Sequence, residues 1–284
     1  MLLEFKTKNY KSFVEEASFS MVAAPKQKGL DYSLMKTKIK GKEIKGLSSS
    51  VIYGPNAAGK TNIIGAMDVL RSIVLRGNIR NSEEKSSPNP AASALELIPN
   101  NNESEAKPVC FEIEFYEEDG EEHKFKIHYE LQIDLGTFLE EEYQRKILAE
   151  VLEVNGERVF ERREGLKVEN LKVIKDYLSD ITEQNAESIN EIAKNSLNQE
   201  ELFLTNGFKL IFSPKFTKLI VDWFANKFMV IYRADSMQLI KRFADPKKKA
   251  VYVEKTTDEA AKLFGINSNA VGYVVSDDEP DAKL

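Results

Sequence analysis

The chain has 284 residues, 42% hydrophobic and 30% charged, with a formal net charge of −6; it is long enough for one or two domains and is not composed like a disordered segment. No apolar run approaches the ~20 residues of a membrane span, and the N-terminus lacks a basic stretch with a long apolar core, so neither a transmembrane helix nor a signal peptide is expected. The single cysteine, Cys110, excludes an internal disulfide and points to a reducing cytoplasm, and the acidic balance argues against a surface built as a whole for nucleic acid.

Residues 2–23 read as two strands joined by a turn. Leu3, Phe5 and Thr7 alternate with Glu4 and Lys6, Asn9-Tyr10-Lys11-Ser12-Phe13 follows, and Phe19, Met21 and Ala23 alternate again. Pro25 to Gly29 is a break, and the lysine-rich residues 30–46 predict a strand or hairpin with Gly41 near its turn. Lys36, Lys38, Lys40, Lys42 and Lys45, like Lys247, Lys248 and Lys249, read as solvated edges, because no aromatic residues interleave with them for base stacking.

Val51-Ile52-Tyr53-Gly54-Pro55-Asn56-Ala57-Ala58-Gly59-Lys60-Thr61 reads as a buried strand, a glycine-bounded loop and the first turn of a helix. Gly54, Gly59, Lys60 and Thr61 stand at the spacing G-x-x-x-x-G-K-[ST]. Gly54 is expected to turn the chain sharply off the strand, and Gly59 to let backbone N–H groups close on phosphate with no Cβ in the way. The helix start adds unpaired amides and the positive end of its dipole. Lys60 would sit between the β- and γ-phosphates and the Thr61 hydroxyl would hold Mg²⁺. Ile63, Met67, Leu70 and Val74 then recur at helical spacing, with Gly77 as the stop.

Asn81 to Ala92 is a polar, proline-bearing loop. To about residue 164 the period is two: Val109, Phe111, Ile113 and Phe115, then Phe125, Ile127, Tyr129, Leu131 and Ile133, with hairpin turns at Asp119-Gly120 and Asn155-Gly156. This predicts an antiparallel meander with one apolar face. Residues 166–226 read as helical, with Leu171, Ile174, Leu178 and Ile181 in one stripe, and Ile189, Ile192 and Leu197 in another. Ser213-Pro214 is an N-cap and N1 pair ahead of Phe216, Leu219, Ile220, Trp223 and Phe224. Phe228 to Tyr232 reads as a short strand, Asp258 to Leu263 as a helix, and Val271 to Val275 as a last strand before the acidic Asp277-Asp278-Glu279.

His123 and His128, five residues apart on one strand, point to opposite faces and do not share a metal. Hydrolysis needs a carboxylate for Mg²⁺, usually as four apolar residues followed by Asp-Glu. Tyr273-Val274-Val275-Ser276-Asp277-Asp278-Glu279 matches this poorly, so no catalytic residue is assigned.

The Asn9-Tyr10-Lys11-Ser12-Phe13 segment, followed by Gly54-Pro55-Asn56-Ala57-Ala58-Gly59-Lys60-Thr61-Asn62, resembles the N-terminal half of ABC-type ATPases of the SMC, RecF and OLD clade. Within it the chain looks most like the prokaryotic AAA-family ATPases of the RloA and AbiL kind, associated with anti-phage defence. Glu141-Glu142-Tyr143, Asn155-Gly156 with Phe160-Glu161-Arg162, Leu202-Phe203-Leu204 and Trp223-Phe224 also look like that group. The resemblance implies an α/β fold: a P-loop NTPase head lobe of ABC type with an adjacent antiparallel sheet and a helical insertion. It implies ATP and Mg²⁺ as ligands, with Lys11 and Ser12 approaching the nucleotide from the first strand and residues Asn56 to Asn62 cradling it. It further implies two heads that sandwich two ATP molecules and drive a toxin or nuclease partner, with DNA contact open.

The chain departs from that pattern in lacking a Ser-Gly-Gly or Ser-Gly-Thr signature, an Asp-Glu strand end and a late histidine. The expected organisation is a nucleotide-binding lobe over 1–165, a helical insertion over 166–227 and a return to the core over 228–284, as an N-terminal portion with little hydrolysis of its own. Three other readings stay open: a DNA-repair or chromosome-maintenance ATPase, a non-hydrolysing nucleotide-sensing scaffold, and a P-loop small-molecule kinase. The short, broken helical stretch weakens the first of these, and the strand before the loop and the meander after it argue against the last.

Overall fold

The computed structural model describes residues 1–24, 29, 31–39, 41–80, 95–101, 106–120, 123–138, 140, 143–179, 186–195, 197–230, 250–252 and 272–274. Residues 1–232 form one unit and 233–284 a second.

The first unit is built on the period-two segments. Strands β1 (Leu2–Lys8), β2 (Ala17–Ser20), β5 (Val109–Glu118), β6 (Lys124–Asp134), β7 (Lys146–Val154), β8 (Glu157–Arg162) and β9 (Leu166–Val168) form a seven-stranded sheet in the order β2-β1-β5-β6-β7-β8-β9. Every pairing in it is antiparallel. The two hairpin turns fall where the sequence puts them. Asn155 and Gly156 take φ 55° and 83°, the left-handed pair that a tight two-residue turn needs between twisted strands. A separate hairpin, β3 (Leu34–Ile39) with β4 (Lys42–Leu47), precedes the glycine loop.

Alternation makes one sheet face apolar. Phe5, Phe111, Ile113, Phe115, Ile127, Tyr129 and Leu131 are buried there, while Glu4, Lys6, Glu112 and Glu114 stay on the wetter face. Helix α1 (Lys60–Arg76) covers the apolar face with Ile63, Met67, Leu70, Ile73 and Val74, so the helix that begins at the loop is anchored in the main core. Trp223 stacks on Phe115 with ring centroids 3.8 Å apart, and Phe228 stacks on Trp223 at 4.9 Å. Arg71 of α1 donates from Nε to the Phe224 carbonyl at 2.9 Å, tying the loop's helix to this aromatic block.

The stretch read as a short, broken run of helices over 166–226 also contains a strand. It opens with β9, turns through a 3₁₀ helix over Leu171–Tyr177, and includes α2 (Ala186–Asn195) and α3 (Pro214–Asp222). Two wide π turns, Leu204–Phe208 and Trp223–Lys227, flank α3. These segments share one core with the sheet. Ser213 caps α3 as expected: its Oγ accepts from Phe216 N at 3.1 Å and donates to Tyr177 O at 2.5 Å. Ser213→Ala should therefore cost about 1–2 kcal/mol of stability, the upper range for a lost N-cap; urea unfolding measures it, and an unchanged midpoint would refute the cap.

Two expectations are corrected. Val51, Ile52 and Tyr53 form no strand and are 81%, 42% and 90% exposed. The apolar run is expected to be buried, but burial needs a partner, and no described strand pairs with 51–53. Residues 228–230 are likewise not in a strand, because Phe228 continues the aromatic stack instead.

In the second unit, β10 (Ala250–Tyr252) pairs antiparallel with β11 (Gly272–Val274), so a strand does lie within the expected 271–275. The helix expected at Asp258–Leu263, the Lys247–Lys249 group and the acidic Asp277–Glu279 lie outside the described residues. Among the described residues no helix is long and apolar enough to cross a membrane.

Candidate nucleotide site

The loop between β4 and α1 is exposed from Val51 to Ala58. Gly54 is close to extended, with φ 158°, so the sharp turn expected there is displaced to Ala57 and Gly59, at φ 64° and 84°. Left-handed residues in such a turn bring successive amides onto one concave side, the geometry of an anion nest. Ala58 N donates to Pro55 O at 3.3 Å, and Asn62 N and Ile63 N donate to Gly59 O at 2.9 and 3.2 Å.

Gly59 is the N-cap of α1, no side chain caps it, and the first turn carries no acid. The amides that begin a helix have no intrahelical acceptor, and here the dipole's positive end meets no carboxylate of its own helix. That is a cradle for an anion.

Lys60 reaches back over the loop. Its Nζ donates to Gly54 O at 2.8 Å and to Pro55 O at 2.7 Å. An ammonium has three protons, so one remains for a ligand while two hold the loop's shape. Thr61 is exposed in the first turn.

The turn after β1 leans on the loop. Asn62 Nδ2 donates to Ser12 Oγ at 2.7 Å. A Cβ placed on Gly59 would lie 3.0 Å from both Ser12 Oγ and Phe13 Cε1. Gly59→Ala therefore adds left-handed strain of roughly 1–2 kcal/mol to a contact with no spare room, and should lower nucleotide affinity about tenfold. A titration with ATP checks it, and native affinity in that variant would show that the loop is not the binding element.

Of the residues singled out in the sequence, Ser12, Gly59, Lys60, Thr61 and Asn62 converge, with Asn56, Ala57 and Ala58 in the loop between. Lys11 turns elsewhere. It sits at φ 48° and its Nζ bonds Glu96 Oε2 at 2.6 Å. Near that pair on α1, burial pushes the Asp68 carboxyl up, Arg71 pulls it down and Glu96 adds to the upward shift.

Phe13, Phe19, Ile52 and Tyr53 were not anticipated. With Gly59 and Lys60 they line a cleft of about 220 Å³ beside the loop. Ile52 and Tyr53 flank the motif and read in the sequence as a buried strand, Phe19 reads as a strand residue, and Phe13 ends the Asn9-Tyr10-Lys11-Ser12-Phe13 segment.

An ATP polyphosphate fits this cradle: the amides are presented, a cation is at the mouth and the first turn of α1 carries no acid. Among the described residues no group of three His, Cys, Asp or Glu side chains could hold a metal; Thr61, exposed at the start of α1, would be the side chain to meet Mg²⁺, with phosphate oxygens and waters supplying the rest. When bound, Mg²⁺ would neutralise phosphate charge there.

A mixed α/β unit whose glycine loop opens into a core-anchored helix defines a P-loop ATPase domain. Residues 49–226, more than half of the chain, match the family model described as "AAA domain, putative AbiEii toxin, Type IV TA system", and the chain belongs to that ATP-binding ATPase family. Comparison with curated proteins and with solved structures gives no match.

Proposed function

We propose that this chain is the nucleotide-binding part of an ATP-driven switch of the RloA and AbiL kind, acting in cytoplasmic anti-phage defence. Two copies close on ATP and Mg²⁺, and closure controls a toxin or nuclease partner. The observation that carries the reading is the uncapped start of α1, presented by a left-handed loop with Lys60 at its mouth. Lys60 and the loop amides from Ala57 to Thr61 take the β- and γ-phosphates. Asn56 borders the phosphate tail, and Thr61 takes Mg²⁺. Ser12 and Asn62 brace the loop from the side, and Lys11 is drawn to the nucleotide only by leaving Glu96. The apolar cleft of Phe13, Phe19 and Tyr53 receives the base.

The family supports the ATPase class, and its toxin–antitoxin description supports an effector partner. Light scattering of the chain with and without ATP and Mg²⁺ tests the pairing. The mass should double with ATP and stay single in its absence; a mass that ATP leaves unchanged would remove the two-headed reading.

A further inference from the structure

The other end of α1 holds a cavity that the nucleotide site does not use. At ~1.5 Å per residue, the 17-residue helix carries its C-terminal end about 24 Å from the loop. There, against the π turn Leu204–Phe208 and the start of α3, lies a cavity of about 520 Å³. That volume is in the range of small-molecule sites.

Its lining is one-sided in charge. Arg76, Lys209 and Lys218 contribute cationic groups, and among the described residues that line it there is no carboxylate. Lys218 has a partner in Asp222, so its charge is partly answered. Arg76 is part-buried, and burial lowers its pKa. Lys209 is exposed. An anion entering the hollow therefore meets three cationic groups and no carboxylate among the described lining residues.

Two further observations point to a ligand. Thr205, on the wall, has a buried hydroxyl with no hydrogen-bond partner, and at a cavity wall such an orphaned polar atom is one that an occupant would satisfy. The wall itself is a π turn, a widening that costs helix regularity and is frequent at functional sites. Between the cations, Val74 and Val221 give the cavity an apolar side.

We propose that this cavity is a second ligand site, which binds a small phosphate monoester carrying an apolar body. The phosphate lies between Arg76 and Lys209 within reach of Thr205, and the body lies on Val74 and Val221. The site stands independently of the nucleotide reading, because none of these residues belongs to the glycine loop.

The test is calorimetric titration of the full chain with phenyl phosphate, carried out in a Lys60→Ala background so that the loop's lysine contributes nothing. One saturable site is expected. Lys209→Glu should weaken it about tenfold or more, as loss and reversal of a charge-assisted contact require. Lys209 is exposed, so this variant should keep its melting temperature, and Lys209→Gln should fall between the two. Inorganic phosphate should bind more weakly than phenyl phosphate. Absence of saturable binding in the Lys60→Ala chain, or binding that Lys209→Glu leaves intact, overturns the site. Equal affinity for inorganic phosphate overturns the apolar part of the assignment.

Discussion

Replacing Lys60 with alanine is expected to weaken ATP binding about a hundredfold, roughly 3 kcal/mol, the upper range for a hydrogen bond to a charged group. The side chain has two tasks in this geometry. It holds the Gly54 and Pro55 carbonyls at 2.8 and 2.7 Å, which fixes the loop around its own amides. It also places a full positive charge at the mouth, where a phosphate tail carries several negative ones. Alanine removes both. Folding should be unaffected, because Gly54 and Pro55 are exposed and their carbonyls pass to water. The melting temperature is therefore the control and the ATP titration the readout. Undiminished affinity in a well-folded variant would mean that nucleotide binds elsewhere, and would also unseat the roles given to Ser12 and Asn62.

What could be read in advance was local. Asn155-Gly156 announces a left-handed turn by residue type, and the turn is there. The alternation of Phe111, Ile113 and Phe115 gives a strand with one buried face without any knowledge of its neighbours. Ser213-Pro214 marks a helix start because the cap bond spans three residues. The loop motif works the same way, since phosphate recognition by backbone amides needs only a short run. Features that depend on distant partners were not legible. Nothing near Lys11 indicates Glu96, which is 85 positions away. The insertion of β1 between β2 and β5 joins residue 5 to residue 113, a choice made by the whole sheet. Val51-Ile52-Tyr53 shows the limit most clearly: composition reports that a segment can be buried, and only the presence of a neighbouring strand decides that it is.

The largest effect on stability should come from a residue that sequence reading passed over. Glu150 on β7 is fully buried. Its carboxylate accepts from Phe203 N at 2.6 Å, from Leu204 N at 2.9 Å and from Tyr129 OH at 2.9 Å, with Arg162 at 3.9 Å. The two amides open the π turn that walls the second cavity, so one acid pins that turn to the sheet. Arg162 is itself buried and bonds the Glu201 and Asn198 carbonyls at 2.8 and 2.5 Å. Glu150→Ala leaves a buried cation without its counter-charge and two amides without acceptors, and should cost about 3–5 kcal/mol. Burial pushes the Glu150 pKa above the ordinary carboxylate range, with the two amides, Arg162 and Tyr129 opposing that shift. In the window between the ordinary and the raised value the native state holds more protons than the unfolded one, so the wild type loses stability as pH rises through it. The gap between wild type and Glu150→Ala should accordingly be widest at acidic pH and narrow as pH climbs past the raised value. Urea midpoints for both chains across that range measure it; a gap that widens with pH would mean that the donors outweigh burial and hold the carboxyl below its ordinary value.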